Sequence, residues 1–313
     1  ALPISKISDI KIPDRKIFYI IDKNCYDLNK DKLKFVPDDK FIVVAKEKNK
    51  SFSVYERIIN KILKQGYTKH DCIVGIGGGI VCDITTFVAA TYKRGIDHIL
   101  IPTTLIAMID ASIGGKGGVN HKTYKNQVGV IKNPIENIIC TEFLDTLPKQ
   151  ERISAYGEII KYAFLSKEVY EQITSKLEID MAFNKLCIEC KMRYVKEDPY
   201  ENGVRKILNL GHTIGHAIEG YTKNKVPHGT AVAYGIRYII DRKFKEKEIS
   251  EEQYNEYTKI FKYFGIPKWE INPMGVYKYI LQDKKAIDEE MIEYIDIADI
   301  GKCEIKKIKI KDL

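Results

Sequence analysis

No stretch of this 313-residue chain runs apolar for about eighteen residues, which leaves out a membrane-crossing helix. The opening "ALPISKISDIKIPDRK" holds neither an apolar signal core nor a transit-peptide pattern, so the expectation is a cytoplasmic protein that meets no membrane. Cysteine is sparse and odd in number, with 7 residues scattered from Cys25 to Cys303, and lays out no disulfide framework. Cys187 and Cys190 form a lone CxxC in "NKLCIECKMRYV"; with no second pair, structural thiols are favoured over a metal or redox role. Internal repeats and low-complexity segments beyond a lysine bias are also missing, which excludes a solenoid. Basic stretches lack the interleaved aromatics of a nucleic-acid stripe, and no nucleic-acid partner is expected.

What is present is a hydrophobic fraction of 44%, enough for a substantial core in a chain of this length. The net charge of +8 comes from 51 Lys and Arg against 43 acidic residues. Much of the lysine alternates with Glu or Asp, as in "AKEKNKSF" and "DRKFKEKEISEEQ", and reads as solvated surface. The excess still draws anions, which suits phosphate or carboxylate substrates.

Residues 1–147 alternate strand and helix patterns. "KIFYIID" and "DKFIVVAK" are β-rich, "SVYERIINKILKQG" is an amphipathic helix ending at Gly66, and "DCIVGIGGG" is a buried strand entering a glycine turn. A helix "IVCDITTFVAATYKRG" and a strand "HILIPTT" follow, so the order predicts a parallel sheet of βαβ units. Over 148–313 helical patterns dominate, among them "ERISAYGEIIKYAFLSKEVYEQI" and "TAVAYGIRYIIDRKFKEKE". The expected fold is an α/β nucleotide-binding domain with a parallel sheet, then a mostly α-helical metal- and substrate-binding domain. Ligands of open α/β sheets sit at the carboxyl ends of the strands, so the cleft between the two halves is the expected site.

Two glycine-rich stretches bear on ligands. "GIGGGIVCD" lies where a pyrophosphate would rest on helix N–H groups, but from Gly77 the pattern is G-x-G-x-x-C, so the turn by itself fits a phosphate cradle or an ordinary tight turn. "DASIGGKGGVNHKTYKNQVG" fails as a P-loop at Asp110 and Gly117. It reads as a flexible cationic loop whose glycines allow close approach to a ligand, or as an exposed basic loop.

Three of the six histidines fall between positions 212 and 228, in "NLGHTIGHAIEGYTKNKVPHGTAVAYG". His212 and His216 are four apart on one helix face, and His228 follows after a connector with Pro227. Three protein ligands with an open position make a catalytic metal site, and the grouping favours that over separately satisfied histidines. Glu158 in "YGEIIKYAF", one turn before Lys161, is the natural carboxylate complement.

Taken together, "GGGIVCD", "FVAATYKRG", "PTTLIAMIDASIGGKGGVN", "KNQVG", "GEIIKY", "LNLGHTIGHAIE" and "HGTAVA" closely resemble the 3-dehydroquinate synthases of the sugar-phosphate cyclase superfamily. The resemblance covers about residues 41 to 235 and continues to "QDKK" at 282 to 285. It implies an NAD-dependent lyase with zinc or cobalt, acting as a homodimer on 3-deoxy-D-arabino-heptulosonate 7-phosphate. Transient oxidation by NAD, phosphate elimination, re-reduction and an intramolecular aldol closure would give 3-dehydroquinate. By position, Glu158, His212 and His228 would hold the metal, and His216 would stand on the substrate side. Asp110, Lys116, Asn126, Lys161, Lys191, Arg205, Asn209 and one of Lys284 and Lys285 would surround the substrate, with Arg94 reaching across a dimer interface. NAD would meet Glu47, Lys50, the turn Gly78, Gly79, Ile80, Val81, Cys82 and Asp83, then Thr103, Thr104, Lys116 and Lys125, and finally Phe143, Leu144, Asp145 and Thr146.

The chain departs from the commonest family pattern at Cys82 and Gly117, where NAD contacts are at stake, and at Thr230, where a carboxylate beside His228 is missing. The alternatives are another sugar-phosphate cyclase or a metal-dependent polyol dehydrogenase of related fold. Asn209 and the lysine pair at 284–285 speak against the first, and the cationic cluster against the second.

Overall fold

The computed structural model describes residues 2–4, 6–122, 124–175, 178–223, 225–267, 273–280 and 291–309. Lys284 and Lys285 lie outside the described residues. The chain divides into two compact units, Ala1–Pro148 and Lys149–Leu313.

The first unit runs β1 (Leu2–Ile4), β2 (Ile17–Asp22), α1 (Lys23–Asn29), β3 (Phe41–Val43), α2 (Phe52–Lys64), β4 (Cys72–Gly77), α3 (Gly79–Thr91), β5 (Asp97–Pro102), β6 (Lys116–His121), β7 (Tyr124–Ile131) and β8 (Glu136–Cys140). Six strands form one sheet in the order β1-β8-β5-β4-β2-β3, and every pairing in it is parallel. β4, "CIVGIG", is buried along its whole length because helices cover both faces of such a sheet. In α2 the apolar positions Val54, Ile58 and Ile62 recur at helical spacing, and Ser51 caps the start by accepting the Val54 N–H at 3.4 Å. Those three side chains pack on Phe18, Ile20, Ile73, Val81, Ile84 and Val88.

The stretch expected to be a flexible cationic loop is instead an antiparallel ribbon, β6 against β7. Its glycines serve protein contacts. A Cβ at Gly117 would fall 2.5 Å from the Thr86 Cβ on α3, so the space a threonine would need there is already filled. Asn120 ties the ribbon down by donating to Glu47 Oε1 at 2.6 Å and accepting the Asn126 N–H at 3.0 Å.

The second unit carries α4 (Lys149–Leu165), α5 (Lys167–Ser175), α6 (Met181–Glu197), α7 (His212–Tyr221), α8 (His228–Lys245), α9 (Glu251–Tyr263), α10 (Pro273–Ile280), β9 (Met291–Asp299) and β10 (Lys302–Lys309). The long pattern from 151 to 173 breaks at Ser166, whose hydroxyl accepts the Val169 N–H at 3.4 Å and starts a new helix. The helical expectation also omits the closing hairpin of β9 and β10, which pairs antiparallel. Buried Asp296 on β9 accepts from Tyr294 Oη at 2.7 Å and from Lys243 Nζ of α8 at 3.2 Å, which fastens the hairpin to that helix.

His98 on β5 is fully buried, with its Nε2 3.2 Å from Thr86 Oγ1. Burial, helped by the nearby Lys132, pushes its pKa down to about 3. An unfolded chain takes up this proton near pH 6.5, whereas the folded one refuses it until about pH 3. Stability is therefore level above pH 6.5 and falls as the pH drops from there toward 3. Urea melts across that window should show the decline in the wild type and a shallower one in His98→Gln; parallel curves would discount His98.

Candidate functional site

Three helices of the second unit meet backbone to backbone. A Cβ at Gly157 of α4 would lie 1.7 Å from the carbonyl oxygen of Gly229 on α8, and one at Gly229 would lie 1.6 Å from that of Ser154. On the other side of α8, a Cβ at Gly235 would lie 2.1 Å from the Gly211 carbonyl oxygen, just ahead of α7. No side chain fits at these positions, so the helices approach closely and the residues beside the glycines converge. Glu158 follows Gly157, His228 precedes Gly229, and His212 follows Gly211.

Glu158 Oε1 stands 3.3 Å from His212 Nε2 and 3.2 Å from His228 Nε2. Its other oxygen is 2.5 Å from Lys161 Nζ, one turn on along α4. Glu158 and Lys161 are each only 2% exposed. Burial alone would raise the Glu158 pKa, but the Lys161 ammonium and the two imidazoles hold it well below the carboxylate range. Burial lowers His212 to about 4, so its ring is neutral at pH 7. His228 is pulled the other way: burial would lower it, but hydrogen bonds with Glu158 and Glu219 raise it to about 10.

The neutral His212 ring donates Nδ1–H to the Leu210 carbonyl at 3.1 Å, which leaves a lone pair on Nε2 facing the Glu158 carboxylate. Two acceptors face one another there, and a cation between them satisfies both. One atom each of Glu158, His212 and His228 lies within 4.8 Å of the others, and two nitrogens with one carboxylate oxygen make a zinc- or cobalt-type donor set. The exposed His216 ring stands beside this trio, its centroid 5.5 Å from that of His212 and 6.0 Å from that of His228. Elsewhere in the unit, Lys191 on α6 and Arg205 in the short helix Val204–Asn209 are buried cations, and Asn209 donates to Glu201 Oε1 at 2.7 Å.

In the first unit, β4 ends at Gly77, Gly78 caps α3, and β5 lies in parallel register so that Pro102 pairs with Gly77. The Thr103 N–H donates to the Gly77 carbonyl at 3.0 Å, which sets Thr103 and Thr104 beside the turn. Cβ atoms at Gly78 and Gly79 would sit 3.0 Å from Thr104 Cγ2 and 3.2 Å from Ala111 Cβ, so the turn packs closely on both residues; the first-turn N–H groups of α3 are the kind that suit an anion such as a pyrophosphate. Ile80, Val81 and Cys82 form that first turn. Cys82 points into the core against Leu100 and Ala107, and burial pushes its thiol up. Asp83 and Asn126, assigned by resemblance to cofactor and substrate respectively, both hydrogen-bond to the buried Lys50 ammonium. Glu47 holds Asn120. Phe143 and Leu144 are buried in the short helix Thr141–Thr146, where Asp145 is exposed and Thr146 is bonded to Asn29 at 3.2 Å. Asp110 sits in the turn Ala107–Ala111, Lys116 and Lys125 lie exposed on the ribbon, and Arg94 is exposed with φ of 63° in the turn after α3.

One residue of this cluster escapes the sequence reading. Glu219 Oε2 lies 3.1 Å from His228 Nδ1. It sits seven positions after His212 on α7, so helical periodicity alone places it on the face of His212 and His216.

A family model described as 3-dehydroquinate synthase N-terminal matches residues 40–154, and one described as 3-dehydroquinate synthase C-terminal matches residues 155–286. The chain is 38% identical over 305 residues to a 3-dehydroquinate synthase of Staphylococcus epidermidis, covering 91% of this chain and 84% of that one. Among solved structures, a 2-deoxy-scyllo-inosose synthase complexed with carbaglucose-6-phosphate, NAD and cobalt superposes with a TM-score of 0.83 at 22% identity, covering 96% of this chain and 90% of its own. The 2-epi-5-epi-valiolone synthase of Streptomyces hygroscopicus, with NAD and zinc bound, gives 0.85 at 19% identity, covering 99% and 93%.

The helix crossing has a direct test. Gly229→Ala forces a methyl into backbone atoms, and overpacking of this kind costs roughly 1–3 kcal/mol or more. Calorimetry should show Tm lower by at least about 3 °C; an unchanged Tm would mean the helices can part at no cost.

Proposed function

The chain belongs to the 3-dehydroquinate synthase family, and on that premise we propose that it converts 3-deoxy-D-arabino-heptulosonate 7-phosphate to 3-dehydroquinate and phosphate. The observation that carries this reading is the convergence of Glu158, His212 and His228 on one point, with Lys161 on the far oxygen of the carboxylate. The first unit serves as the NAD-binding domain and the second as the metal- and substrate-binding domain. Glu158, His212 and His228 hold a divalent ion, zinc or cobalt, and the first turn of α3, Thr103, Thr104, Lys50 and Asp83 hold NAD. When bound, NAD takes up and returns a hydride and the ion polarises the substrate oxygen it faces.

This chain's own residues do the rest. Lys161, Lys191 and Arg205 are buried cations that supply charge for the phosphate and carboxylate, Arg205 through a planar fork suited to two oxygens. His216, exposed beside the metal ligands, takes and returns the proton of the oxidised hydroxyl. Lys116, Asp110, Asn126, Asn209 and one of Lys284 and Lys285 orient the sugar chain. The leaving phosphate breaks a C–O bond, and no net redox change remains, which makes the enzyme a lyase. Its 7 cysteines are all free, in keeping with a cytoplasmic protein. In a homodimer, Arg94 on its exposed turn extends toward the partner's substrate.

Incubation with the heptulosonate phosphate, catalytic NAD and zinc should release phosphate and dehydroquinate in equal amounts without lasting NADH absorbance. Chelator treatment and Glu158→Ala or His228→Ala should bring turnover to background. Accumulating NADH without dehydroquinate would instead mark a polyol dehydrogenase, and full activity in His228→Ala would remove it from the ligand set.

A further inference from the structure

His228 meets two carboxylates at once, with Nε2 3.2 Å from Glu158 Oε1 and Nδ1 3.1 Å from Glu219 Oε2. A neutral imidazole has one N–H, so a ring that ligates an ion through Nε2 must place its proton on Nδ1. Pro227 and Gly229, on either side of His228, carry no side-chain acceptor. Glu219 supplies the acceptor from α7. Its side chain is only 12% exposed, so the packing of α7 on α8 holds the carboxylate in place.

We propose that Glu219 is the positioning residue of the metal centre. It accepts Nδ1–H of His228, fixes the tautomer that leaves the Nε2 lone pair toward Glu158, and sets the plane of the ring. The carboxylate also makes the imidazole a stronger donor to a cation. This inference rests on the metal reading above. His216, Glu219 and His228 also bring one atom each within 4.8 Å of one another, but a proton on His228 Nδ1 leaves that nitrogen no lone pair for a second ion.

The test titrates zinc into the full chain, stripped by chelator, against a competing chromophoric chelator, for wild type, Glu219→Gln and Glu219→Ala. Circular dichroism checks that each variant is folded. Wild type should take up one zinc per chain. Glu219→Ala should bind it roughly 10–100-fold more weakly. Glu219→Gln keeps an oxygen for Nδ1–H but loses the charge, and should fall between; it carries the test alone if the alanine variant does not fold. The visible spectra of the cobalt-loaded forms should shift in the same order. Equal affinities across the three proteins would overturn the proposal, as would two zinc ions per wild-type chain with one lost in Glu219→Ala. A wild type that takes up no zinc would bring down the metal reading itself, a result distinct from either.

Discussion

The second unit depends on a contact in which nothing but backbone takes part. Gly157 of α4 and Gly229 of α8 lie so close that a methyl on either would overlap a carbonyl oxygen. Dispersion between closely approaching backbones is individually small, but here it also sets position. Glu158 and His228, one residue from each glycine, acquire a separation of 3.2 Å that no flexible loop would hold. Imidazoles stand next to glycines in this sequence because the glycine sets the distance and the histidine uses it.

The electrostatics follow from that geometry. A buried glutamate, a buried lysine and two imidazoles share a small volume, and their protonation preferences are pushed apart, His212 toward neutrality and His228 toward charge. Opposed environments of this kind are one way that functional sites separate the protonation states of neighbouring groups. The other buried charge cluster of the unit, around Asp296, behaves differently. There a carboxylate is surrounded by Lys243, Lys306 and Tyr294, each supplying a hydrogen, and no lone pairs are set against one another. Around Glu158, by contrast, a carboxylate oxygen meets the lone pair of a neutral imidazole.

Much of this was legible in the sequence. Apolar runs such as "CIVGIG" announced a buried parallel strand, and the amphipathic pattern ending at Gly66 announced α2. His212 and His216 declared a shared face by their spacing. Glu158 lies on a different helix, so no spacing tied it to them; it was offered as a carboxylate complement, and the family resemblance named the same residue. Glu219 was readable from its place seven residues after His212, but a lone glutamate on a helix carries no signal until its partner is known. The ribbon of β6 and β7 was misread because glycines at close contacts look the same in sequence as glycines in a flexible loop. The hairpin of β9 and β10 was overshadowed by the helical patterns before it, although "MIEYIDIAD" is rich in the isoleucine and tyrosine that strands favour.

One further consequence belongs to α8. Its first residue, His228, faces the glutamate of α4, and Lys243, near its other end, grips Asp296 of the closing hairpin. The helix is thus a shaft keyed at both ends. Each added residue turns one key by about 100° against the other. Substitutions along the shaft leave the two keys aligned, but an insertion or deletion of one residue between them puts them out of phase. Among homologues, length between these two points should be kept more strictly than identity, and the spacing would be heritable even where the sequence is not.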